Sequence, residues 1–162
     1  MANIHEQLYQ SHSFSNLSFD EGLKNLVTTI LENMDYEVKI KTRLDLEPIE
    51  LNINQAVPCS LIVNEVITNS IKHAFNDYSN GFIAIELHNR DNELTLKIMD
   101  NGVGFPDSKV GASQNGSLGM ELIQTLTLQL EGEYSYRSRD NAPGAFFQLN
   151  FRVSDSPGSS SS

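Results

Sequence analysis

The sequence predicts an α+β fold: a two-layer α/β sandwich whose mixed, mainly antiparallel sheet is covered on one face by about three helices. Two observations lead to this prediction. A helical hydrophobic pattern followed by two alternating patterns occurs three times along the chain. The 162 residues, 39% of them hydrophobic, suffice for one sizeable core and are too few for two. We therefore expect one folded domain, over residues 18–153.

The composition excludes several classes of function. A net charge of −10, from 21 acidic and 11 scattered basic residues, predicts that the chain does not bind nucleic acid. No apolar run approaches the ~20 residues that span a bilayer and no signal peptide begins the chain, so we expect no direct membrane contact. The single cysteine, Cys59, is predicted to be a small buried hydrophobe, which favours a reducing, cytoplasmic location.

The first element of the domain is predicted to be a helix that begins at Ser18. Ser18 and Glu21 have the spacing of a capping box, and apolar residues follow at helical spacing: Leu23, Leu26, Val27, Ile30, Leu31 and Met34. Ile4 and Leu8 lie four residues apart in the preceding segment. Residues 1–17 are therefore predicted to be the last turns of an earlier helix and a linker.

Two short strands are predicted between the first helix and the next. Residues 38–43 and 49–53 contain alternating apolar residues, and Pro48 separates them because proline interrupts a strand. Asn54 is predicted to be the N-cap residue of the turn that leads through Pro58 into the second helix.

The second half of the chain is predicted to form two hairpins with a helix between them. The hairpins cover residues 83–98 and 134–153. The helix opens at Gly116 and ends at Gly132, with an apolar stripe of Leu118, Leu122, Ile123, Leu126 and Leu130. Residues 154–162 are a serine-rich tail that we expect to be disordered.

The segment 61–76 is predicted to be a helix with two different faces. One face is apolar and suits a core: Val63, Val66, Ile67, Ser70, Ile71 and Ala74. Glu65, Asn69, Lys72 and Asn76 follow one another at spacings of four, three and four, and so form one polar ridge on the opposite face. A solvated surface is the ordinary interpretation of such a ridge, but the segments that follow favour a ligand.

Two glycine-containing segments favour a nucleotide. Asp100 stands where a buried strand ends, and Gly102 and Gly104 let the backbone approach a flat ring, so Asp100 can accept a hydrogen bond from an exocyclic amine such as that of adenine. Gly-Ser-Leu-Gly at residues 116–119 opens a helix, whose N–H groups suit phosphate. The polar loop at 107–116 is predicted to close over the bound nucleotide.

The polar ridge supplies the cations and metal ligands that phosphates need, since the sequence contains no P-loop motif. The Asn69 amide oxygen suits Mg²⁺, Lys72 can reach a terminal phosphate, and Glu65 offers a carboxylate for metal or water. His73 either contacts the phosphates, which we favour, or lies on the helix surface.

Together these three segments resemble the nucleotide-binding boxes of sensor histidine kinase catalytic domains, in the superfamily of gyrase, the heat-shock chaperone ATPases and the mismatch-repair ATPases. The resemblance covers residues 18–153. It implies ATP and Mg²⁺ as cofactors, with Asn69 and Glu65 at the metal, Glu65 and Lys72 as catalytic groups, and Asp100 reading adenine. The other implied nucleotide-binding residues are His73, Gly102, Gly104, Gly116, Ser117, Leu118 and Gly119.

The resemblance also implies partners. Residues 1–17 resemble the end of a helical dimerisation and phosphoacceptor hairpin, whose remainder would carry the phosphorylated histidine, and a response regulator would act downstream. His5 matches the wrong half of that hairpin and His12 lies in a linker, so we expect neither to accept phosphate. Two departures from the family are Ser117 in place of glycine and Ala145 in place of threonine. Loss of the threonine hydroxyl is expected to weaken binding by ~1 kcal/mol.

Three functions remain open at this point. The first is phosphoryl transfer from ATP to a histidine of a separate domain. The second is gyrase-type ATP hydrolysis with Glu65 as general base, and the third is a nucleotide-binding module without catalysis. His88 is predicted to be inert, and Tyr134 and Tyr136 are predicted to be structural.

Overall fold

Five strands form one sheet because apolar residues alternate along each of them. The structure, a computed structural model, describes residues 17–33, 39–74, 80–104 and 118–154. The strands are β1 (Leu17–Ser18), β2 (Lys39–Leu46), β3 (Glu50–Leu51), β4 (Asn80–Arg90), β5 (Glu93–Asp100), β6 (Glu133–Ser138) and β7 (Ala145–Arg152). The helices are α1 (Phe19–Asn33), α2 (Ile53–Asn69) and α3 (Leu118–Gln129), and a π-helical turn, Ser70–Ala74, follows α2 directly.

The sheet topology confirms the predicted fold class. The strand order is β2-β4-β5-β7-β6, in which β2 and β4 are parallel and the other three pairs are antiparallel. The two hairpins lie where the sequence predicted them. The first closes through a two-residue turn, Asp91-Asn92, in which both residues have positive φ, 56° and 65°. β1 and β3 form a separate two-stranded sheet that the sequence did not predict.

The core lies between this sheet and the helices. In β5 every second residue is buried, which places Leu94, Leu96 and Ile98 in the core. The same alternation places Asp100 on the core face, where it is 3% exposed. The register of β5 therefore carries a carboxylate into the layer between sheet and helices.

α2 begins eight residues earlier than predicted. Its N-cap residue is Asn52, whose side chain accepts a hydrogen bond from the Gln55 N–H at 3.1 Å, so the assignment of Asn54 as cap was wrong. Asn52 also donates to Ser154 Oγ at 3.0 Å, which ties the cap to the end of β7. Pro58, expected before the helix, lies inside it and is buried. Asparagine favours the N-cap at either position, so local sequence did not distinguish Asn52 from Asn54.

The predicted α-helix over 61–76 changes form at Ser70. The α-helix ends at Asn69, and the π-helical turn changes the spacing along the polar ridge, because hydrogen bonds there span five residues. Lys72 in this turn is exposed.

α3 ends differently from the prediction. The helix ends at Gln129, and Glu131 adopts the left-handed conformation at φ 58°. The Glu131 N–H donates to the Leu128 carbonyl at 2.9 Å, and the Gly132 N–H donates to the Thr127 carbonyl at 3.1 Å. Gly132 is needed for another reason, since a Cβ there would collide with the Asn150 carbonyl of β7. Leu122, expected in the buried stripe, is 40% exposed.

The start of α1 also differs in detail. Ser18 precedes the helix as expected, but its hydroxyl donates to Asp20 Oδ1 at 3.4 Å. Asp20 Oδ1 accepts the Ile49 N–H at 3.1 Å and so joins α1 to the segment before β3. The predictions for residues 4–10, Met34, the 107–116 loop and the 155–162 part of the tail fall outside the described residues.

Candidate functional site

The carboxylate of Asp100 is held by three donors. Oδ2 accepts the Ser70 hydroxyl at 2.7 Å, and Oδ1 accepts the N–H groups of Gly102 and Ala145 at 2.9 and 3.0 Å. An ionised carboxylate offers about four acceptor positions. The three bonds orient the group, and the described part of the chain leaves one acceptor position, on Oδ2, for a further donor.

Backbone packs closely around Asp100. Gly144, at φ 118°, lies so near that a Cβ would collide with the Asp100 carbonyl oxygen. Gly104, at φ 74°, faces Gly144: a Cβ on Gly104 would lie 2.9 Å from the Gly144 oxygen. Arg139 Nη1 donates to the Asp100 carbonyl at 3.2 Å and to the Pro143 carbonyl at 3.3 Å. The end of β5 and the β6–β7 turn are therefore fixed against each other.

The end of α2 and the start of α3 meet beside this carboxylate. Ser70, which bonds Asp100, directly follows Asn69 in the chain. One turn earlier, the Glu65 carboxylate packs on Gly119, the second residue of α3, so closely that a Cβ on Gly119 would collide with it. The N-terminus of a helix attracts a carboxylate, since its N–H groups carry partial positive charge.

Tyr136 of β6 completes this group of side chains. Its ring packs edge-on against Phe147, with centroids 5.3 Å apart. Its phenol is hydrogen-bonded to the Asn69 side chain. Burial raises the pKa of Tyr136, and the negative charges of Asp100 and Glu65 raise it further, while the Asn69 hydrogen bond lowers it. The phenol is therefore neutral at physiological pH.

Sequence comparison identifies the family. Residues 54–155 match the family described as histidine kinase-, DNA gyrase B- and HSP90-like ATPase. The match covers more than half of the 162 residues. The chain belongs to this family.

Three relatives of this ATPase domain differ in their described activity. Blue-light-activated histidine kinase 2 of Erythrobacter litoralis is 25% identical over 108 residues, which are 66% of this chain and 31% of the relative. The serine-protein kinase RsbW of Listeria innocua is 35% identical over 79 residues, 41% of this chain and 50% of the relative. Sensor protein VraS of Staphylococcus aureus is 33% identical over 91 residues, which are 54% of this chain and 23% of the relative. The chain thus spans half or less of these relatives.

Solved structures show the same fold. The histidine kinase domain of the Erythrobacter litoralis blue-light activated histidine kinase aligns with a TM-score of 0.73 at 20% identity, covering 85% of this chain and 66% of that one. The mycobacterial sensor histidine kinase MprB aligns with a TM-score of 0.67 at 15% identity, covering 85% of this chain and 97% of that one. The fold of the ATPase domain is that of histidine kinase catalytic domains.

The structure brings together many of the residues that the sequence singled out. Asp100, Gly102 and Gly104 lie at one end of the sheet, and Glu65, Asn69 and Gly119 lie beside them. Lys72 is exposed in the π-helical turn. Gly116, Ser117 and the side chains of His73 and Leu118 lie outside the described residues.

Sequence reasoning missed four contributors to the site. Ser70 was assigned to the apolar stripe; it is buried, but its hydroxyl bonds Asp100. Tyr136 was expected to be structural, yet it bonds Asn69. Gly144 and Ala145 were noted only as part of a hairpin and a departure from the family, yet the Ala145 N–H holds Asp100. The available signal was a Pro-Gly turn, Pro143-Gly144, directly before a small residue at the predicted start of a strand.

Among the described residues, no group of three or more His, Cys, Asp or Glu side chains is arranged to hold a metal ion. A Mg²⁺ ion bound with nucleotide needs fewer, since phosphates and water supply the other ligands. The Asn69 amide oxygen and the Glu65 carboxylate are hard oxygen donors of the kind this ion prefers. The residues present therefore fit a nucleotide-borne magnesium ion.

His88 and Glu47 lie in a separate surface cluster. His88 Nδ1 is 3.1 Å from Glu47 Oε2, and its Nε2 is 3.8 Å from both Asp45 and Glu86. The Asn89 N–H, His88 and Arg90 lower the pKa of Glu47 to about 2. His88, predicted to be inert, thus lies in a cluster of polar side chains around Glu47.

Cys59 and the lengths of the apolar helices were also predicted from the sequence. Cys59 is fully buried, as predicted, and burial raises the pKa of its thiol. A helix long and apolar enough to cross a membrane does not occur in the described ranges.

Proposed function

We propose that this ATPase domain is the catalytic domain of a two-component sensor histidine kinase. It binds Mg-ATP and transfers the γ-phosphoryl group to a histidine on a helical dimerisation and phosphoacceptor domain of the parent kinase, with a response regulator downstream. The observation that carries the proposal is the fixed Asp100 carboxylate with one open acceptor position, beside Asn69 and Glu65. Domain boundaries of 1–17, 18–153 and 154–162 belong to the same proposal.

Asp100 selects adenine. Its open position on Oδ2 accepts a hydrogen bond from an amine, whereas guanine presents a carbonyl oxygen at the equivalent ring position. Two acceptors facing each other repel, and a buried acceptor without a partner is costly. The Gly102 N–H holds the carboxylate in place at 2.9 Å, and Gly104 lets the Gly144 backbone pack closely beside it. The domain should therefore prefer ATP to GTP.

The end of α2 and the start of α3 receive the phosphates. Magnesium bound with ATP neutralises charge on the phosphates and promotes phosphoryl transfer. Asn69 and Glu65 hold the metal, and the long, exposed Lys72 side chain can reach the terminal phosphate. His73 and residues 116–119 line the phosphate side in this proposal.

Nucleotide titration tests the binding part of the proposal. Calorimetry of the full chain should show ATP binding that magnesium strengthens and GTP binding at least ~10-fold weaker, the size expected for one unmatched buried acceptor. Equal affinity for the two nucleotides would reject Asp100 as the base-reading residue.

Phosphotransfer tests the catalytic part. With γ-labelled ATP, His5 and His12 of this chain should remain unlabelled, because proximity contributes on the order of 7–11 kcal/mol and neither histidine is expected at the site. Added phosphoacceptor domain of the parent kinase should acquire label that acid removes, as a phosphohistidine bond requires. Label on His5 or His12 would contradict the assignment of the acceptor.

Serine phosphorylation is the second candidate, because the serine-protein kinase RsbW is 35% identical over 79 residues of this chain. The same assay distinguishes them. Phosphoserine survives acid and is lost in strong base, whereas phosphohistidine shows the opposite stability. Acid-stable label on a protein partner would favour the serine kinase.

A further inference from the structure

Asp100 lies at the point where one of its two neighbouring strands stops pairing with β5. On the β4 side it pairs in register with Ile83. On the β7 side the last pair in register is Met99 with Phe146, one residue before Asp100. Strand pairing therefore fixes the Asp100 backbone against β4, while its position relative to β7 depends on other contacts.

The Arg139 side chain supplies such a contact. Its Nη1 donates to the Asp100 carbonyl at 3.2 Å and to the Pro143 carbonyl at 3.3 Å. Its backbone N–H donates to the Gly144 carbonyl at 2.9 Å. A guanidinium is always charged, and one of its nitrogens carries enough hydrogens for both carbonyls. Arg139 thus joins the end of β5 to the turn that leads into β7.

The same turn orients the Asp100 carboxylate. Oδ1 accepts the N–H of Ala145, the first residue after the turn, at 3.0 Å. Hydrogen bonds weaken steeply as their angle departs from linear, and the terminal torsion of an aspartate has no sharp preference of its own. Movement of the turn away from Asp100 would therefore weaken the bond to Oδ1 and let the carboxylate rotate. Rotation would move Oδ2, which carries the open acceptor position.

We propose that Arg139 is a positioning residue for base selectivity: it holds the turn against Asp100 and so keeps Oδ2 directed at the exocyclic amine of adenine. The inference rests on the proposed function, in which Asp100 reads adenine. Arg139 itself contacts neither base nor phosphate in this proposal. Its contribution should therefore appear in the discrimination between a base with this amine and one without it.

Arg139→Met tests the proposal, with Arg137→Met as the matched control. Arg137 lies two residues earlier, where it bonds Asp140 at 3.2 Å and lies over the Phe146 ring, 5.2 Å from the centroid. Both variants replace an arginine by an unbranched side chain and remove one positive charge. The ligands are ATP and purine riboside triphosphate, which has the same phosphates and lacks the exocyclic amine.

The measured quantity is the ratio of the two dissociation constants, by calorimetry on one preparation. An unfolded fraction weakens both ligands equally, so the ratio is insensitive to a loss of stability. Wild type should bind ATP at least ~10-fold more tightly, as expected for one unmatched buried acceptor. This ratio should fall about five-fold in Arg139→Met, the size of one neutral hydrogen bond, and stay at the wild-type value in Arg137→Met. An unchanged ratio in Arg139→Met, or an equal fall in Arg137→Met, would overturn the proposal.

A measurement without nucleotide separates this inference from the proposed function. The Ala145 amide should exchange its hydrogen about five-fold faster in Arg139→Met than in Arg137→Met, relative to the slowest core amides, which report global unfolding. NMR resolves the individual amide signals. Equal relative exchange in the two variants would overturn the positioning role. Wild-type protein that binds the two nucleotides equally would instead overturn base reading by Asp100, and with it this inference, whatever the exchange rates show.

Discussion

Two carboxylates at opposite ends of β4 show how differently this domain uses the same chemical group. Asp100 pairs in register with Ile83 near the start of the strand, and Glu47 accepts the N–H of Asn89 near its end at 3.0 Å. Six residues separate Ile83 from Asn89, roughly 20 Å along a strand. Asp100 is 3% exposed, whereas the Glu47 side chain is 36% exposed.

The hydrogen-bond partners of the two carboxylates differ more than their burial does. Glu47 is bonded by the Arg90 guanidinium and the His88 ring as well as by the Asn89 N–H, so three partners already use its acceptor positions. Asp100 takes only the hydroxyl of Ser70 and two backbone N–H groups among the described residues, which orient it without neutralising it. An oriented carboxylate with uncharged partners suits a ligand, while one paired with arginine and histidine fastens strands at the surface.

The largest expected effect comes from the backbone around Asp100. Gly144→Ala should lower the free energy of unfolding by about 3 kcal/mol, because the new Cβ collides with the Asp100 carbonyl and φ is 118°. Urea denaturation measures this. Gly22→Ala is the control: it has open space around it on α1 and should stabilise the domain by ~0.5–1 kcal/mol. Wild-type stability in Gly144→Ala would show that the turn can move away from Asp100.

The second-largest expected effect is on the affinity for ATP. Asp100→Asn should weaken ATP binding by ~1.5–3 kcal/mol, or roughly 10- to 150-fold, because an amide nitrogen replaces one of the two acceptor oxygens. Calorimetry measures the affinity. Glu47→Gln makes the same chemical change in the surface cluster and should leave ATP affinity unchanged. Equal losses in the two variants would remove the distinction between the two carboxylates.

The smallest effect is the pH dependence that Glu47 contributes. The folded-state pKa of Glu47, about 2, lies below its ordinary value of 4.5, so its stabilisation is fully present above about pH 4.5 and is lost as the pH falls towards 2. Glu47→Gln should therefore melt slightly lower than wild type at pH 6, with the difference shrinking below pH 4.5. Melting curves between pH 2 and 6 measure it. A difference that grows towards pH 2 would contradict the assigned partners.

The sequence predicted the elements of the fold, because their hydrophobic periods are local. It placed the helices, the hairpins and the mixed sheet, and it singled out Glu65, Asn69 and Asp100, whose roles in binding stay a prediction. It chose Asn54 over Asn52 as the N-cap, because asparagine favours that position at either site. It could not predict the pairing of β1 with β3, because the two strands are far apart in the chain. The π-helical turn at Ser70–Ala74 also has no local pattern that distinguishes it from α-helix.

The parts of the site that escaped prediction are those that register and close packing create. Ser70 has the spacing of a core residue, and only its position opposite Asp100 gives its hydroxyl a role. Tyr136 alternates like any strand aromatic, and its contact with Asn69 joins two residues that are far apart in the chain. Such residues have the ordinary pattern of a core, so their chemistry appears only in three dimensions.

The bond from Ala145 to Asp100 has a consequence for how this site can change in evolution. Because the donor is a backbone N–H, almost any side chain at position 145 leaves the bond intact, and proline alone removes the donor. A threonine at this position would supply an additional hydroxyl, but the backbone bond to Asp100 does not depend on it. Position 145 can therefore be substituted by other small residues that fit its buried surroundings. Asp100, whose carboxylate accepts the bond, cannot be substituted without losing it.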